Sequence, residues 1–232
     1  MVRLLLLSNS TVPGEGYLTW ARPHIGTFLG REVRRVAFVP YASVTVTWDD
    51  HAAKAKEVLG ALGYEVLSVH QDPAALQQAD AIAVGGGNTF RLLSQLHDTG
   101  LLGDIRARVQ AGVPYMGWSA GSNVACPTIR TTNDMPIIQP ASFAALALVP
   151  FQINPHFIDV EVLRHGGETR TDRIREFLEL NRDQTVIALP EGTGLRVEDD
   201  EITCFGRSEV LTFTHASPVR RTPAGGKIGR PD

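Results

Sequence analysis

Short, mostly apolar runs separated by helix-patterned segments constrain this chain to one fold class more tightly than any other feature. Leu4–Leu7, Val33–Val39, Tyr64–Val69, Ala81–Val84 and Val113–Gly117 are such runs. A brief apolar stretch that does not alternate with polar residues suits a strand buried on both faces. Between the runs lie segments with helical spacing: Leu18–Leu29, the stretch from Thr47 to Leu62, Phe90–Leu96 and Leu102–Gln110. Alternation of this kind builds βαβ units, so the expected fold is an α/β three-layer sandwich with a mostly parallel sheet covered by helices. In such sheets ligands sit beyond the carboxyl ends of the strands.

The punctuation agrees. Thr47-x-x-Asp50 resembles a capping box with Asp for Glu. Ala52, Ala55, Val58, Leu59 and Leu62 follow it at helical spacing, and Gly63 is a fitting stop. Pro23 predicts a disturbance within the first helix. Farther on, Phe151–Asn154 reads as a strand stopped by Pro155-His156, Glu168–Leu180 as a helix, and Thr185–Leu189 as a strand broken by Pro190-Glu191-Gly192. Pro127–Pro140, rich in turn formers, reads as an ordered loop over the site. Leu195–Thr214 alternates like antiparallel strands around a turn at Asp199-Asp200, a C-terminal antiparallel extension of the sheet. Residues 1–232 read as a single domain, with 220–232 as a frayed tail of Gly, Pro and basic residues.

Composition excludes several function classes. A formal net charge of -3, with 20% charged residues, gives no electrostatic case for nucleic acid. No apolar stretch approaches the roughly 18–20 residues of a membrane span. The opening Met1–Leu7 is too short for a signal-peptide core and is followed by polar Ser8-Asn9-Ser10-Thr11, so it reads as the first buried strand. The two cysteines, Cys126 and Cys204, are too few for a disulfide framework and lack metal-ligand spacing, so the expected compartment is the cytoplasm and no metal or other cofactor is expected.

The chemistry concentrates at Gly117-Trp118-Ser119-Ala120-Gly121. Gly-x-Ser-x-Gly between a strand and a helix matches the nucleophile elbow, in which small flanking residues let a serine occupy a strained turn. The helix that follows directs its N-terminal dipole at the reacting centre, and the Ala120 N–H is available for an oxyanion. A serine hydroxyl needs a base, and the base needs an acid that fixes its tautomer. His156 and Glu191, like Ser119, end buried strands, and strand ends of one parallel sheet can supply all three. Asp134 is the rival acid. Glu191 leaves a buried strand that fixes it more rigidly, whereas Asp134 sits on a loop better suited to substrate. Gly85-Gly86-Gly87-Asn88 lacks the Lys-Ser/Thr pair of a phosphate loop and the complete Rossmann spacing. Its preferred reading is an oxyanion hole, with the Gly87 N–H opposite that of Ala120. Each feature also has a plainer reading: a satisfied histidine at 156, a turn cap at Glu191, and Asx or Ser/Thr turns around Thr131–Asp134.

At these residues the chain resembles the peptidase E family of cytoplasmic α-aspartyl dipeptidases, serine peptidases on a fold similar to class I glutamine amidotransferases. The matching blocks are Leu4–Ser10, Thr45–Asp50, Gly85–Phe90, Gly117–Gly121, Cys126–Pro136, Gln152–Phe157, Gly167–Arg170 and Leu189–Gly192. The resemblance implies Ser119 as nucleophile, His156 as base, either Asp134 or Glu191 as the third member, no metal, a homodimer, and small peptide substrates with N-terminal aspartate. After Leu195 the family pattern is followed poorly. Selection of aspartate calls for a fixed cation. Arg170, in Gly166–Arg170 just past His156, is the candidate because its planar fork grips a carboxylate by two hydrogen bonds, with Arg130 in reserve. Asn88 is a further candidate substrate contact. Alternatives are a β-aspartyl peptidase resembling cyanophycinase, or a non-catalytic binding protein on the same fold. An α/β-hydrolase esterase is opposed by the short chain and by a histidine so soon after the serine, and a glutamine amidotransferase by serine in place of cysteine.

Overall fold

The computed structural model describes residues 1–158 and 167–229. In chain order the strands are β1 (Arg3–Leu7), β2 (Arg35–Val39), β3 (Glu65–Ser68), β4 (Ala81–Val84), β5 (Tyr115–Trp118), β6 (Gln152–Phe157), β7 (Thr185–Pro190), β8 (Thr193–Glu198), β9 (Glu201–Gly206), β10 (Val210–Thr214), β11 (Arg220–Thr222) and β12 (Lys227–Ile228). The helices are α1 (Arg22–Leu29), α2 (Trp48–Ala61), α3 (Ala75–Gln78), α4 (Thr89–Asp98), α5 (Leu101–Gln110), α6 (Ala120–Asn123) and α7 (Arg170–Leu180).

The large sheet has the order β12-β9-β8-β1-β5-β4-β2-β3. Its parallel part is β1, β5, β4, β2 and β3, and β8, β9 and β12 extend it antiparallel. The apolar runs are explained by burial on both faces. Leu4 and Leu6 of β1 join a core with Leu92, Leu96, Ile105 and Val109 of α4 and α5. Leu5 and Leu7 point the other way, into a core with Ile25 and Phe28 of α1 and Ala55, Val58 and Leu59 of α2. All four leucines are almost fully buried. At about 1.5–3 kcal/mol for each buried leucine, this one strand anchors both helical layers.

Four expectations are corrected. Pro23 causes no disturbance, because it stands in the first turn of α1, where proline is tolerated; the break lies earlier, in a 3-10 turn over Thr19–Ala21. The strand at Phe151 does not stop at Pro155-His156 but continues to Phe157, with His156 bulged out between the pairs Pro155↔Leu189 and Phe157↔Pro190. Residues 220–229 are not a frayed tail: β11 pairs with β10 and β12 with β9, and Ile228 is buried in the main core. Residues 230–232, and Gly166 of the Gly166–Arg170 stretch, lie outside the described residues. Finally, the three strand ends do not belong to one sheet. β6 and β7 are parallel neighbours in a second sheet of order β11-β10-β7-β6. Its outer face packs on Ile174 and Leu178 of α7, while Ile153, Ile187 and Leu189 face the core of the large sheet.

Among the described residues no helix is long and apolar enough to cross a membrane.

Candidate active site

The elbow at Ser119 is built by its glycines. A Cβ on Gly117 would stand 2.4 Å from the Gly121 carbonyl oxygen, and one on Gly121 2.1 Å from that of Val84. Neither contact is possible, so only glycine lets β5 turn this closely into α6. Ser119 itself adopts φ 53 and ψ -114, a left-handed backbone that a non-glycine residue holds only when its surroundings fix it. Those surroundings are hydrogen bonds. Ser119 N–H donates to the Leu7 carbonyl at 3.1 Å, and the Ser119 carbonyl accepts from Ser122 and Asn123 N–H at 3.0 Å each. The Ser122 hydroxyl reaches the Leu7 and Gly117 carbonyls, and Tyr115 donates to the Gly121 carbonyl at 2.6 Å.

Ser119 Oγ lies 3.0 Å from His156 Nε2, and His156 Nδ1 lies 3.0 Å from Glu191 Oε1. His156 also has a positive φ of 53, the strain of the bulge that turns its ring out of the second sheet towards the first. With the imidazole proton on Nδ1, the ring donates to Glu191 and leaves Nε2 to accept from the serine hydroxyl. That is the arrangement a serine nucleophile needs. The side chains of His156 and Glu191 remain 42% and 47% exposed, so this carboxylate works in a wetter setting than a buried triad acid.

Two sheets have to be held in register for this contact, and the polar pair at the end of β1 does it. Ser8 is fully buried; its hydroxyl donates to the Leu189 carbonyl at 2.8 Å and accepts from His156 N–H at 2.9 Å. Its own N–H donates to the Thr193 carbonyl. Asn9 Oδ1 accepts from Gly192 N–H at 2.9 Å, which fixes the turn that carries Glu191. From the other side, Asn123 of α6 donates to the Ile153 carbonyl, tying the elbow helix to β6. Sequence reasoning did not single out Ser8, Asn9 or Asn123. The one available signal was a pair of polar side chains directly after a wholly buried strand.

Asp134 does not reach His156. Its Oδ2 accepts from Thr89 N–H at 2.7 Å, the Thr89 hydroxyl at 2.5 Å and the Thr132 hydroxyl at 3.1 Å, at the N-terminus of α4. There the helix dipole favours a carboxylate. Its other oxygen, Oδ1, accepts no hydrogen bond among the described residues. Asn88, expected to touch substrate, is committed elsewhere. Its Oδ1 caps α4 by accepting from Arg91 N–H at 3.0 Å, and its Nδ2 donates to the Met135 carbonyl at 2.8 Å.

Arg170 is the first residue of α7, which Thr169 and Asp172 close with a reciprocal capping box. Its Nη1 donates to Asn133 Oδ1 at 2.5 Å, and Asn133 Nδ2 donates in turn to the Pro155 carbonyl at 2.7 Å, one residue before the histidine. Arg170 lines a cavity of about 360 Å³ together with Asp134, Asn133, Arg130 and Arg173. Burial, then the neighbouring Arg173, lower its pKa, while Asp134 opposes both. Arg130 stacks over Phe177 at 5.3 Å. The cavity therefore has in its lining both a cation and a carboxylate oxygen that accepts no hydrogen bond among the described residues.

The glycine loop lies against the elbow. A Cβ on Gly86 would stand 3.1 Å from Ser119 Cβ, and one on Gly87, whose φ is 139, 2.3 Å from the Ala42 carbonyl oxygen. Gly87 and Ala120 N–H are not donors in any hydrogen bond of the described residues. Unused main-chain donors beside a nucleophile can receive a developing oxyanion. Among the described residues no group of three or more His, Cys, Asp and Glu could hold a metal ion.

The chain is similar to known peptidases. The sequence model of peptidase family S51 matches residues 4–205. Peptidase E of Nostoc sp. is 52% identical over 214 residues, covering 91% of this chain and 88% of the relative. Peptidase E of Salmonella typhimurium is 49% identical over 227 residues, covering 97% and 99%. Among solved structures, a putative peptidase E protein from Listeria monocytogenes superposes with a TM-score of 0.68 over 90% of this chain and all of that one, at 23% identity, a likeness of fold.

Proposed function

We propose, from the premise that the chain belongs to peptidase family S51 and is a serine-type dipeptidase, that it hydrolyses dipeptides with N-terminal aspartate through an aspartyl-enzyme ester on Ser119. The observation that carries this reading is the Ser119–His156–Glu191 chain, with 3.0 Å at each step.

The chemistry follows from the contacts. Ser119 Oγ attacks the peptide carbonyl carbon as its proton passes to His156 Nε2. The carbonyl oxygen becomes an oxyanion facing the Gly87 and Ala120 N–H groups. Collapse breaks the C–N bond, and His156 returns the proton to the departing amine. Water then attacks the ester, again giving a proton to His156, and Ser119 leaves with that proton restored. Glu191 stabilises the transient imidazolium and holds the tautomer. In the neighbouring cavity, Arg170 takes the β-carboxylate of the substrate aspartate, and Asp134 Oδ1, its unused oxygen, takes the α-ammonium.

A panel of Asp-X dipeptides with Glu-X and N-blocked controls tests the substrate, and Ser119→Ala tests the nucleophile. Loss of the serine should lower kcat by about three or more orders of magnitude and abolish labelling by a fluorophosphonate. Near-normal turnover in purified Ser119→Ala ends the proposal.

We further infer a single-domain cytoplasmic homodimer. The two cysteines are unpaired and buried, as suits a reducing compartment. Met135 and Phe143, exposed on the loop beyond the elbow, offer apolar surface for a second copy. Light scattering gives the mass: a monomer at micromolar concentration removes the dimer from the reading.

A further inference from the structure

A second cavity, of about 490 Å³, opens on the glycine-loop side of the nucleophile and shares no lining residue with the arginine cavity. Gly86 and Gly87 are among its lining residues, and since a Cβ added to Gly86 would stand 3.1 Å from Ser119 Cβ, the lining runs up to the reacting centre. Its floor is polar but uncharged: Tyr17 and His51 share a hydrogen bond at 3.0 Å between the phenol oxygen and Nε2, and burial lowers the His51 pKa. Val44, Val46 and Ile137 line it as well, each with an exposed apolar side chain. Surface apolar groups beside a catalytic centre are an obvious place for a substrate side chain.

Lys54, on the exposed side of α2, is the one full cation of this lining, and no carboxylate stands among the lining residues. Among the described residues Lys54 forms no ion pair. A cation without an ion pair among the described residues, in a lining that also carries exposed apolar side chains, suits an incoming anion. A dipeptide bound with its scissile carbonyl at Ser119 and its aspartyl residue in the arginine cavity carries one more anion, the terminal carboxylate of its second residue. That residue must lie on the opposite side of the scissile bond from the aspartyl residue.

We propose that this cavity receives the departing residue of the dipeptide, its side chain against Val44, Val46 and Ile137 and its terminal carboxylate on Lys54 Nζ. The assignment rests on the serine dipeptidase reading and explains the length limit it implies. In a tripeptide the same position holds a neutral amide followed by more chain, which Lys54 gains nothing by meeting.

The test compares kcat/KM for Asp-Leu and for Asp-leucinamide, which lacks only the carboxylate, in the native protein, Lys54→Met and Lys54→Arg. Lys54→Met should lower the value for Asp-Leu by about tenfold, the low end for a charge-assisted contact because Lys54 is exposed, and move that for Asp-leucinamide by less than about twofold. Lys54→Arg should keep most of the native preference for the free acid. If Lys54→Met lowers both substrates equally, or neither, the subsite assignment is overturned while the dipeptidase reading stands. If the native protein turns over neither substrate and its Ser119 does not label, the dipeptidase reading itself fails and takes the subsite with it.

Discussion

Replacing Glu191 by Gln tests which of the two candidate acids serves His156. The perturbation is small in shape: Gln retains an oxygen that can accept from His156 Nδ1, so the tautomer survives and only the charge goes. At roughly 4 Å between charge centres, a full ion pair contributes about 1 kcal/mol in a water-like medium and about 4 kcal/mol at an effective dielectric of 20. Both side chains are nearly half exposed, so the value belongs near the lower end, about 1–2 kcal/mol. Lost from the imidazolium of the transition state, that lowers kcat by about 5- to 30-fold, far less than the roughly 10⁴-fold effect known for a buried triad aspartate. KM and the thermal midpoint should hardly move. Asp134→Asn should behave in the opposite way. It removes a carboxylate that accepts three donors at the start of α4, so the midpoint should fall by a few degrees, for about 1–2 kcal/mol of lost helix-terminus stabilisation. KM for Asp-Leu should rise with it. The assay is kcat, KM and thermal midpoint for both variants on Asp-Leu. A silent Glu191→Gln beside an Asp134→Asn that loses kcat at unchanged KM would refute the reasoning.

Arg170→Met should weaken kcat/KM for Asp-Leu by about one to two decades, the range for a charge-assisted contact, and narrow the ratio of Asp-Leu to Asn-Leu, since a neutral amide never gained from the cation. An unchanged ratio transfers the role to another basic residue such as Arg130. The pH dependence of stability should show His51. Burial lowers its folded-state pKa below the ordinary value of 6.5, so the unfolded chain binds the proton more readily and stability falls as pH drops through 6.5. The thermal midpoint of His51→Gln should therefore decline less steeply than that of the native protein as pH falls from about 6.5 to 5, a shallower slope being left by His24, whose pKa burial also lowers. Identical slopes would show that His51 keeps no buried neutral state.

The sequence alone determined those features that depend on near neighbours. Buried strands announce themselves because a residue with no polar face to show must be apolar at every position, as Leu4–Leu7 are. Thr47 was legible as the cap of α2 because its side chain accepts from an N–H three residues on, and the elbow because two glycines four residues apart are what a strand-to-helix turn of that tightness demands. Ser119, His156 and Glu191, the proposed nucleophile, base and acid, were legible as residue types at strand ends. What only the tertiary structure decided is everything that joins distant segments. Whether His156 and Glu191 shared a sheet with Ser119 could not be read from β6 and β7, since an apolar run carries no record of which strand lies beside it. The answer depended on Ser8, a single buried hydroxyl that bonds to both segments of the second sheet. The bulge at His156 was hidden for the same reason: a register shift is a property of two strands and belongs to neither. The sequence favoured Glu191 over Asp134 only through the rigidity of its strand, and the contacts that separate them, Thr89 on Asp134 and His156 on Glu191, exist only in the fold. The pairing of β12 was hidden as well, because Lys227-Ile228 has too few residues to declare a strand until β9 offers it an edge to pair with.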